Sequence, residues 1–538
     1  MVMSKTFPAS LSRFGTWLIA IAALGLAGCA SLPPGADFPK PASTAIADPG
    51  NTRLGRQFAA AIRSHPEQSG FRLLPVGLDS FLLRVQSADA AERTLDVQYF
   101  VIQNDDTGQL MQDAILRAAD RGVRVRVLID DFSQFGTNVP ATALAAHPKI
   151  ELRLFNPFAY RGTVRLIRDA EMIVDAGRLN YRMHNKVFIV DNAMAIVGGR
   201  NIGDEYFQAA TAYEFGDFDV VAVGPAVQQV SASFDAFWNS PLSIPVQALE
   251  GGRARASDLE QLRATLAAHR ETVASAPQVT KLALGEPFSS LLAGRTPFVW
   301  ARGEVMYDSP EKAKTASGEQ PGRLLHKQLR TVASDVRSEL VVVSPYLVPG
   351  ENGMRYFGKL REKDVKVRLL TNSLACTDMP IAHSGYRPYR IPMLEMGVEL
   401  YEVKPQLGQP EVRGGSLKSP SSGQYALHAK VFVFDRRQVF IGSMNLDPRS
   451  LHLNTEIGVL IDSPELARQV IARFDDIAQP PNSYVMMLDK ADPIRGPALV
   501  WRTEERGASI DYRDEPDTTF WLKTKVDMLS LLTLEDLL

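Results

Sequence analysis

The sequence contains little cysteine and little histidine, and both shortages limit what the protein can be. Its 538 residues include two cysteines, Cys29 and Cys376, which excludes a disulfide framework and a cysteine-rich zinc site. The eight histidines are scattered without metal-ligand spacing. A basic excess is also missing, since the formal net charge is −2, and this disfavours nonspecific nucleic-acid binding. We therefore predict no metal, no cofactor and no nucleic-acid partner.

The N-terminus lacks an apolar run long enough for a comfortable membrane span. The run from Thr16 to Cys29 follows basic residues and fits the hydrophobic region of a secretory signal. It ends in Leu-Ala-Gly-Cys, which resembles the lipobox of bacterial lipoproteins, and Ala30 resembles the signal for passage to the outer membrane. We expect lipidation of Cys29 and a location in the cell envelope, facing the periplasm, at the outer membrane. An ordinary signal peptide and an uncleaved anchor are the alternatives.

The main feature of the chain is an internal repeat. HNKVFIVDNAMAIVGGRNIG, from His184, matches HAKVFVFDRRQVFIGSMNLD, from His428, at an offset of 244 residues (428 − 184). Upstream of each copy, β-branched runs alternate with helical stretches, which indicates βαβ units. The sequence therefore predicts an α/β fold of two similar lobes, each a mixed, mostly parallel sheet flanked by helices.

The repeat also sets the predicted domain boundaries. The C-terminal end reads as an amphipathic helix that either lies on a bilayer or docks on the protein core. The predicted segments are a signal peptide (1–28), a tether (29–55), lobe 1 (56–245), a helical connector (246–290), lobe 2 (291–480) and a C-terminal tail (481–538).

Each copy carries a histidine, a lysine, an aspartate and an asparagine. MHNKVFIVDN reads as a strand that enters a tight turn, so His184 and Lys186, two residues apart, should share one face. The aspartate lies at the turn and is expected to brace it. The predicted catalytic set is His184, Lys186, Asp191, His428, Lys430 and Asp435, and the predicted phosphate-binding set is Asn201, Ser443 and Asn445.

Each histidine should have a partner that orients its second ring nitrogen. Aligning DFDVVAVGP with EIGVLIDSP through their final prolines pairs Asp217 with Glu456. These two carboxylates are the candidates, and Glu214 is a rival to Asp217.

Two such half-sites facing each other suit a phosphodiester. Lysine and asparagine side chains can hold the non-bridging oxygens and stabilise charge in the transition state. A neutral histidine can attack phosphorus, while a protonated one donates to the leaving oxygen and later acts as base. Two ammonium groups supply the positive charge in this scheme.

The doubled motif His-x-Lys-x4-Asp-x6-Gly-(Gly/Ser)-x-Asn resembles the signature of the phospholipase D superfamily. The resemblance implies one active site at the interface of two lobes. It also implies a phosphohistidine intermediate on His184, with His428 as general acid and base. One departure is Gly199, which stands where the second copy has Ser443.

Longer segments, among them LDVQYFVIQNDDTGQL and TNSLACTDMPIAHSGYRPYR, resemble bacterial cardiolipin synthases of the C-type. That resemblance implies a membrane enzyme that transfers a phosphatidyl group to the headgroup alcohol of another phospholipid, commonly phosphatidylglycerol. Phosphatidylethanolamine is the donor implied for the C-type. The alternatives are a phospholipase D that uses water, a phosphodiesterase or nuclease of the same fold, and a lipoprotein that binds anionic lipid without turnover.

Overall fold

The structure is a computed structural model, and it describes ten stretches of the chain. The predicted signal peptide and Cys29 lie outside them, so the lipoprotein interpretation stays a prediction. Of the helices within these stretches, none is both long and apolar enough to cross a membrane. The described residues are 32, 35–132, 142–209, 213–249, 255–274, 287–295, 297–318, 320–407, 424–490 and 496–531.

Strands and helices alternate through both halves of the chain. The strands are β1 (Ser69–Leu74), β2 (Thr94–Tyr99), β3 (Arg124–Asp130), β4 (Ile150–Phe155), β5 (Val187–Val190), β6 (Met194–Gly198), β7 (Tyr213–Gly216), β8 (Asp219–Val223), β9 (Ser243–Pro245), β10 (Val299–Tyr307), β11 (Glu339–Val343), β12 (Lys366–Asn372), β13 (Glu399–Val403), β14 (Gln424–Leu427), β15 (Val431–Phe434), β16 (Gln438–Gly442), β17 (Ile457–Asp462), β18 (Ser483–Asp489), β19 (Ala498–Glu505) and β20 (Ala508–Tyr512). The helices are α1 (Arg53–Ser64), α2 (Gly77–Ala90), α3 (Asp106–Asp120), α4 (Arg165–Val174), α5 (Ala176–Leu179), α6 (Pro225–Trp238), α7 (Ala256–Ala274), α8 (Pro287–Leu292), α9 (Leu325–Ser334), α10 (Gly350–Arg361), α11 (Pro380–Tyr386), α12 (Arg390–Glu395), α13 (Pro448–His452), α14 (Pro464–Ile477) and α15 (Phe520–Ser530).

The two lobes repeat one sheet topology. Lobe 1 has the strand order β9-β4-β3-β2-β5-β6-β8-β1, and lobe 2 has β10-β17-β16-β15-β11-β12-β13-β18-β19-β20. The two-lobed α/β fold with mixed sheets is confirmed. Within each sheet, however, only three described strands run parallel, β2-β3-β4 and β11-β12-β13, so antiparallel pairs are the more numerous.

The lobes are joined at β10, which pairs with both sheets. Ser69 on β1 pairs with Ala301, and the next residue of β10, Arg302, pairs with Asp462 on β17. One apolar cluster also spans both lobes, with buried residues from β5, β15, α6 and α14. Because the two lobes share a strand and an apolar core, their relative position is fixed. The residues that line the predicted site between them are therefore held on both sides.

The hairpin that ends each motif shows why the aspartate recurs. The two turn residues of the first hairpin, Asp191 and Asn192, have φ angles of 52° and 49°. This left-handed pair fits the right-handed twist of a tight hairpin, and short polar side chains tolerate it better than most. The flanking strands β5 and β6 are buried throughout, as their apolar sequences require.

The segment predicted as a tail belongs mostly to the second lobe. β18 pairs antiparallel with β13, as β9 does with β4 in lobe 1, and β19 and β20 extend the sheet. The predicted lobe boundary at residue 480 is therefore too early. The repeat could not reveal this extension, because β19 and β20 have no counterpart among the described strands of lobe 1.

Candidate active site

The histidines and lysines predicted to be catalytic lie just before the strands rather than within them. β5 begins at Val187, so His184 and Lys186 occupy the extended segment that leads into it. Lys186 Nζ donates to the carbonyl oxygen of His184 at 2.6 Å, and Lys430 Nζ donates to that of His428. The predicted strand, which began at Met183, therefore starts four residues too early, and in each motif the lysine contacts its own histidine.

Each histidine is held by a carboxylate from the opposite lobe. The Nδ1 atom of His184 lies 2.8 Å from Glu456 Oε2, and that of His428 lies 2.7 Å from Asp217 Oδ2. Both carboxylates proposed for orienting the histidines are therefore at the imidazoles, and Asp217 rather than Glu214 takes the position beside His428. With Nδ1 donating to a carboxylate, Nε2 of each ring is left to face a substrate.

Backbone pairing between the lobes explains why the pairs cross. The N–H of His184 donates to the carbonyl of Thr455 at 2.9 Å, and Thr455 directly precedes Glu456. In the same way, the N–H of His428 donates at 2.8 Å to the carbonyl of Gly216, which precedes Asp217. The pairing of β7 with β14 across the lobes extends the second of these contacts.

Burial and neighbouring cations favour the neutral form of both imidazoles. Burial, then Lys186 and Lys430, lowers the pKa of His184 well below its usual value. Burial, then the same two lysines, does so for the pKa of His428. Burial also lowers the pKa of Lys430 to about 8 and raises that of Glu456 to about 7. A bound phosphodiester would add negative charge and favour the protonated forms of the histidines and lysines.

Ser443, predicted to bind phosphate, instead supports a carboxylate. Its hydroxyl donates to Glu456 Oε2 at 2.5 Å and accepts from the N–H of Ile457. Ser450 donates to the other carboxylate oxygen of Glu456 at 3.0 Å. We therefore correct the role of Ser443: it holds Glu456, which in turn holds His184.

The first lobe achieves the equivalent contact with a shorter carboxylate and no hydroxyl. At Gly199, the counterpart of Ser443, an added Cβ would lie 2.4 Å from Asp217 Oδ1. The missing side chain thus leaves the space that Asp217 fills. In each lobe, the residue at this position fits the carboxylate beside it: Gly199 leaves room for Asp217, and Ser443 donates to Glu456.

The two predicted asparagines are buried beside the motif. Asn201 Oδ1 accepts from the N–H of Val101 at 3.3 Å. The buried Oδ1 of Asn445 has no hydrogen-bond partner among the described residues. An amide can present either its oxygen or its NH2 group, so Asn445 has a polar end available for a ligand.

The two aspartates of the motif bind backbone on the far side of the hairpins. Asp191 accepts from the N–H groups of Glu92, Arg93 and Thr94, at 3.0, 2.8 and 2.9 Å. Asp435 similarly accepts from the chain that enters β11. Burial disfavours its charged form, but these amides hold the pKa of Asp435 below its usual value. Both aspartates are scaffold, as their position at the turn suggested, and their place in the predicted catalytic set is corrected.

Sequence reasoning missed further side chains near the site. Arg449 is a neighbouring cation that lowers the pKa of His184, and its guanidinium donates to the side chain and backbone oxygens of Asn180 at 3.0 and 2.9 Å. Asp378, which accepts from Tyr346 Oη at 2.8 Å, partly opposes the lowering of the pKa of Lys430 by burial. The second motif ends in NLDPRS where the first ends in NIGDEY. This difference, an arginine in the second copy only, could have identified Arg449 as a candidate.

The chain is similar to known proteins in sequence and in fold. A family model described as "Cardiolipin synthase, PLD-like domain" matches residues 85–238 and 331–478. The chain is 38% identical over 491 residues to cardiolipin synthase C of Escherichia coli (strain K12), which covers 90% of this chain and 100% of that protein. It is 30% identical over 478 residues to an uncharacterised protein of Helicobacter pylori (strain ATCC 700392 / 26695), covering 88% and 91%. Among solved structures, a phosphatidylserine synthase of Haemophilus influenzae Rd KW20 has the same fold, with a TM-score of 0.52 at 15% identity, covering 90% of this chain and 100% of that one.

Proposed function

Since the chain belongs to the cardiolipin synthase family of phospholipase D-like enzymes, we propose that it is a phosphatidyltransferase that forms cardiolipin from two phospholipids. The observation that carries the proposal is the convergence of two histidines and two lysines in one buried site, each histidine held by a carboxylate of the other lobe. This arrangement provides two nitrogen atoms and two cations for one phosphodiester, which is the set that a double displacement at phosphorus needs.

The proposed reaction has two balanced steps. Nε2 of His184 attacks phosphorus, the bond from phosphorus to the leaving headgroup oxygen breaks, and His428 gives its proton to that oxygen. The acceptor hydroxyl then gives its proton back to His428 and attacks phosphorus, and the phosphorus–nitrogen bond breaks. Glu456 favours the positive charge that His184 gains, and Asp217 does so for His428.

The substrates we propose are phospholipids in both positions. Phosphatidylglycerol offers the primary hydroxyl that an acceptor needs, and phosphatidylethanolamine or a second phosphatidylglycerol is the donor. We also propose that the protein is a lipoprotein anchored through Cys29, facing the periplasm at the outer membrane. The leader that ends in Leu-Ala-Gly-Cys supports this location.

We propose that the C-terminal helix α15 lies at the membrane interface. Its buried residue, Val526, faces the protein, where α15 packs on α11, while Phe520, Trp521, Met528 and Leu531 around it are exposed. Exposed aromatic and apolar side chains on one helix are typical of an interfacial segment. The two alternatives for this helix are therefore compatible: it can dock on the protein and also contact lipid.

The test is product analysis with defined phospholipids. The purified chain is given vesicles of phosphatidylglycerol, with and without phosphatidylethanolamine, and products are separated by mass. We expect cardiolipin, and none from His184→Ala or His428→Ala. Phosphatidic acid as the sole product would instead favour the hydrolase. Full activity in His184→Ala would contradict the mechanism.

The phosphohistidine can be tested separately. A donor with a good leaving group needs no acid, so His428→Ala should still form the covalent intermediate but resolve it slowly. Mass spectrometry of its peptides should find a phosphatidyl adduct on His184. The matched control is His184→Ala, which should carry no adduct, and an adduct on any other residue would contradict the assignment.

A further inference from the structure

Helix α4 is amphipathic, but it presents its apolar side to solvent. Five of its six apolar residues fall at positions i, i+1, i+4, i+7 and i+8, which is the spacing of one stripe along a helix, and the sixth, Met172, is half-buried off the stripe. Leu166 is 77% exposed and Ile173 is 78% exposed, although such a stripe normally faces the core. The stripe consists of Leu166, Ile167, Ala170, Ile173 and Val174, and all five are exposed, as is Val164 beside them.

The polar side of α4 attaches the helix to the protein. Arg168, which is buried, donates to the backbone carbonyls of Asp131 and Phe132. Glu171 accepts from the backbone N–H groups of Ala159 and Tyr160, at 2.6 and 2.9 Å. These hydrogen bonds fix the helix with its apolar stripe turned outward. The exposure of the stripe therefore follows from how α4 is attached to the protein.

The hydrogen bonds of α4 attach it to the segment that leads to the predicted catalytic site. Arg168 ties α4 to Phe132, which is 45% exposed. The ring of Phe132 stacks on Phe100 at 5.9 Å between centroids, and Phe100 meets the imidazole of His184 edge-on at 5.3 Å. A series of aromatic ring contacts thus leads from the exposed ring of Phe132 to the proposed nucleophile.

A second exposed apolar patch flanks the site on the other lobe. Helix α15 packs on α11, and α11 begins two residues after Asp378, the carboxylate that faces Lys430. The patches therefore adjoin the segments that follow β3 in one lobe and β12 in the other, which are equivalent strands of the repeat. Two apolar patches that adjoin equivalent segments beside one polar site are the arrangement expected of a protein that draws its substrate from a lipid surface.

We propose that the apolar stripe of α4, together with Phe132, inserts into the interfacial region of a phospholipid bilayer and that lipid reaches His184 past Phe132 and Phe100. The proposal rests on the proposed function in one respect, that the substrate is a phospholipid. A phosphate held at His184 leaves two acyl chains that must stay in an apolar medium, and the stripe provides the surface along which they remain in the membrane. A second copy of the chain or another protein would cover the stripe without explaining why α4 is attached to the segment whose Phe132 begins the ring contacts to His184.

Insertion can be measured at single positions in the full-length anchored chain. An environment-sensitive fluorophore is attached to Leu166→Cys or to Ile173→Cys, and the control label is attached to Gln261→Cys on the exposed side of α7. Cys376 is buried and Cys29 is the expected lipidation site, so labelling is selective. On phosphatidylglycerol–phosphatidylethanolamine vesicles we expect a blue shift and quenching by lipid-borne nitroxides at 166 and 173, but not at 261. Labels at 166 and 173 that stay in water would overturn the proposal.

A second experiment compares two forms of substrate. In Leu166→Glu/Ile173→Glu, two apolar side chains of the stripe are replaced by charged ones, which lose the favourable transfer of an apolar side chain out of water. We expect turnover of vesicle lipid to fall by roughly tenfold or more, while turnover of dispersed short-chain phospholipid stays unchanged. The matched control, Gln261→Glu/Ala264→Glu, adds the same charge to α7 and should keep both activities.

The outcomes separate the proposal from its alternatives. Equal loss on both substrates would mean a structural role for α4, and no loss on vesicles would mean no docking. A dimer of the wild-type chain that dissociates on Leu166→Glu/Ile173→Glu would assign the stripe to a second copy. Inserted labels without any phospholipid product would keep the docking surface and reject the proposed function.

Discussion

The imidazole of His184, in the first lobe, is bonded at 2.8 Å to the carboxylate of Glu456, in the second. The reverse contact, His428 to Asp217, is 2.7 Å. Neither lobe can therefore orient its own histidine. The site requires both halves of the repeat at once, and a change in one lobe acts on the imidazole of the other.

The contact between His184 and Glu456 across the lobes predicts the effect of Glu456→Gln. An amide can still accept from Nδ1 of His184, but it cannot stabilise the positive charge that develops on the ring. We expect turnover to fall by roughly 10²- to 10⁴-fold with the fold retained. Activity assays measure the turnover, and circular dichroism measures whether the fold is retained. The matched control is Glu214→Gln, the carboxylate that does not take the position beside His428, and an equal loss in that variant would contradict the assignment.

The lowered histidine pKa values predict how activity depends on pH. His184 must be neutral to attack and His428 must be protonated to donate, so the profile should be bell-shaped. In the free enzyme, burial and the two lysines lower the pKa of His428, which places the alkaline limb of kcat/KM at low pH. A bound phosphodiester offsets the lysines and raises that pKa, so the alkaline limb of kcat should lie at higher pH. An alkaline limb of kcat at lower pH than that of kcat/KM would contradict this account.

The raised pKa of Glu456 predicts a change in stability with pH. Its pKa is about 7 in the fold, against an ordinary value of 4.5, so the folded state binds more protons than the unfolded state between these values. Stability from this group is therefore present below pH 4.5 and is lost as pH rises through 7, by at most about 3 kcal/mol. Urea unfolding at pH 5 and pH 8 should show a smaller loss in Glu456→Gln than in the wild type. The free energy of unfolding of Glu260→Gln, a control at an exposed position on α7, should change with pH as that of the wild type does.

The sequence predicted the repeated strands, the hairpins and the residues that converge, because each depends on local pattern. It could not predict which carboxylate meets which histidine. Alignment of the copies relates Asp217 to Glu456 within equivalent lobes, whereas the contacts form between lobes through backbone pairs at Gly216 and Thr455. The shared strand β10 was missed for the same reason, since its partners are distant in the chain.

The motif was also a poor guide to the direction of individual side chains. Ser443 lies in a segment that matches the phosphate-binding motif, yet its hydroxyl is used by Glu456. The inverted helix α4 is the clearest case of this limit. Its periodicity shows an apolar stripe, but only the hydrogen bonds of Arg168 and Glu171 reveal that the stripe faces outward.

The two solutions for holding a carboxylate predict a rescue between substitutions. In Gly199→Ser, the new Cβ would lie 2.4 Å from Asp217 Oδ1, so Asp217 must move away from His428. We expect turnover to fall by roughly 10²-fold. Gly199→Ser/Asp217→Glu recreates the serine–glutamate pair of the second lobe, in which the longer side chain passes beside a hydroxyl, and it should recover at least part of that loss. A double-mutant cycle with Asp217→Glu alone measures the coupling, and strictly additive losses would show that the two half-sites are not interchangeable in this way.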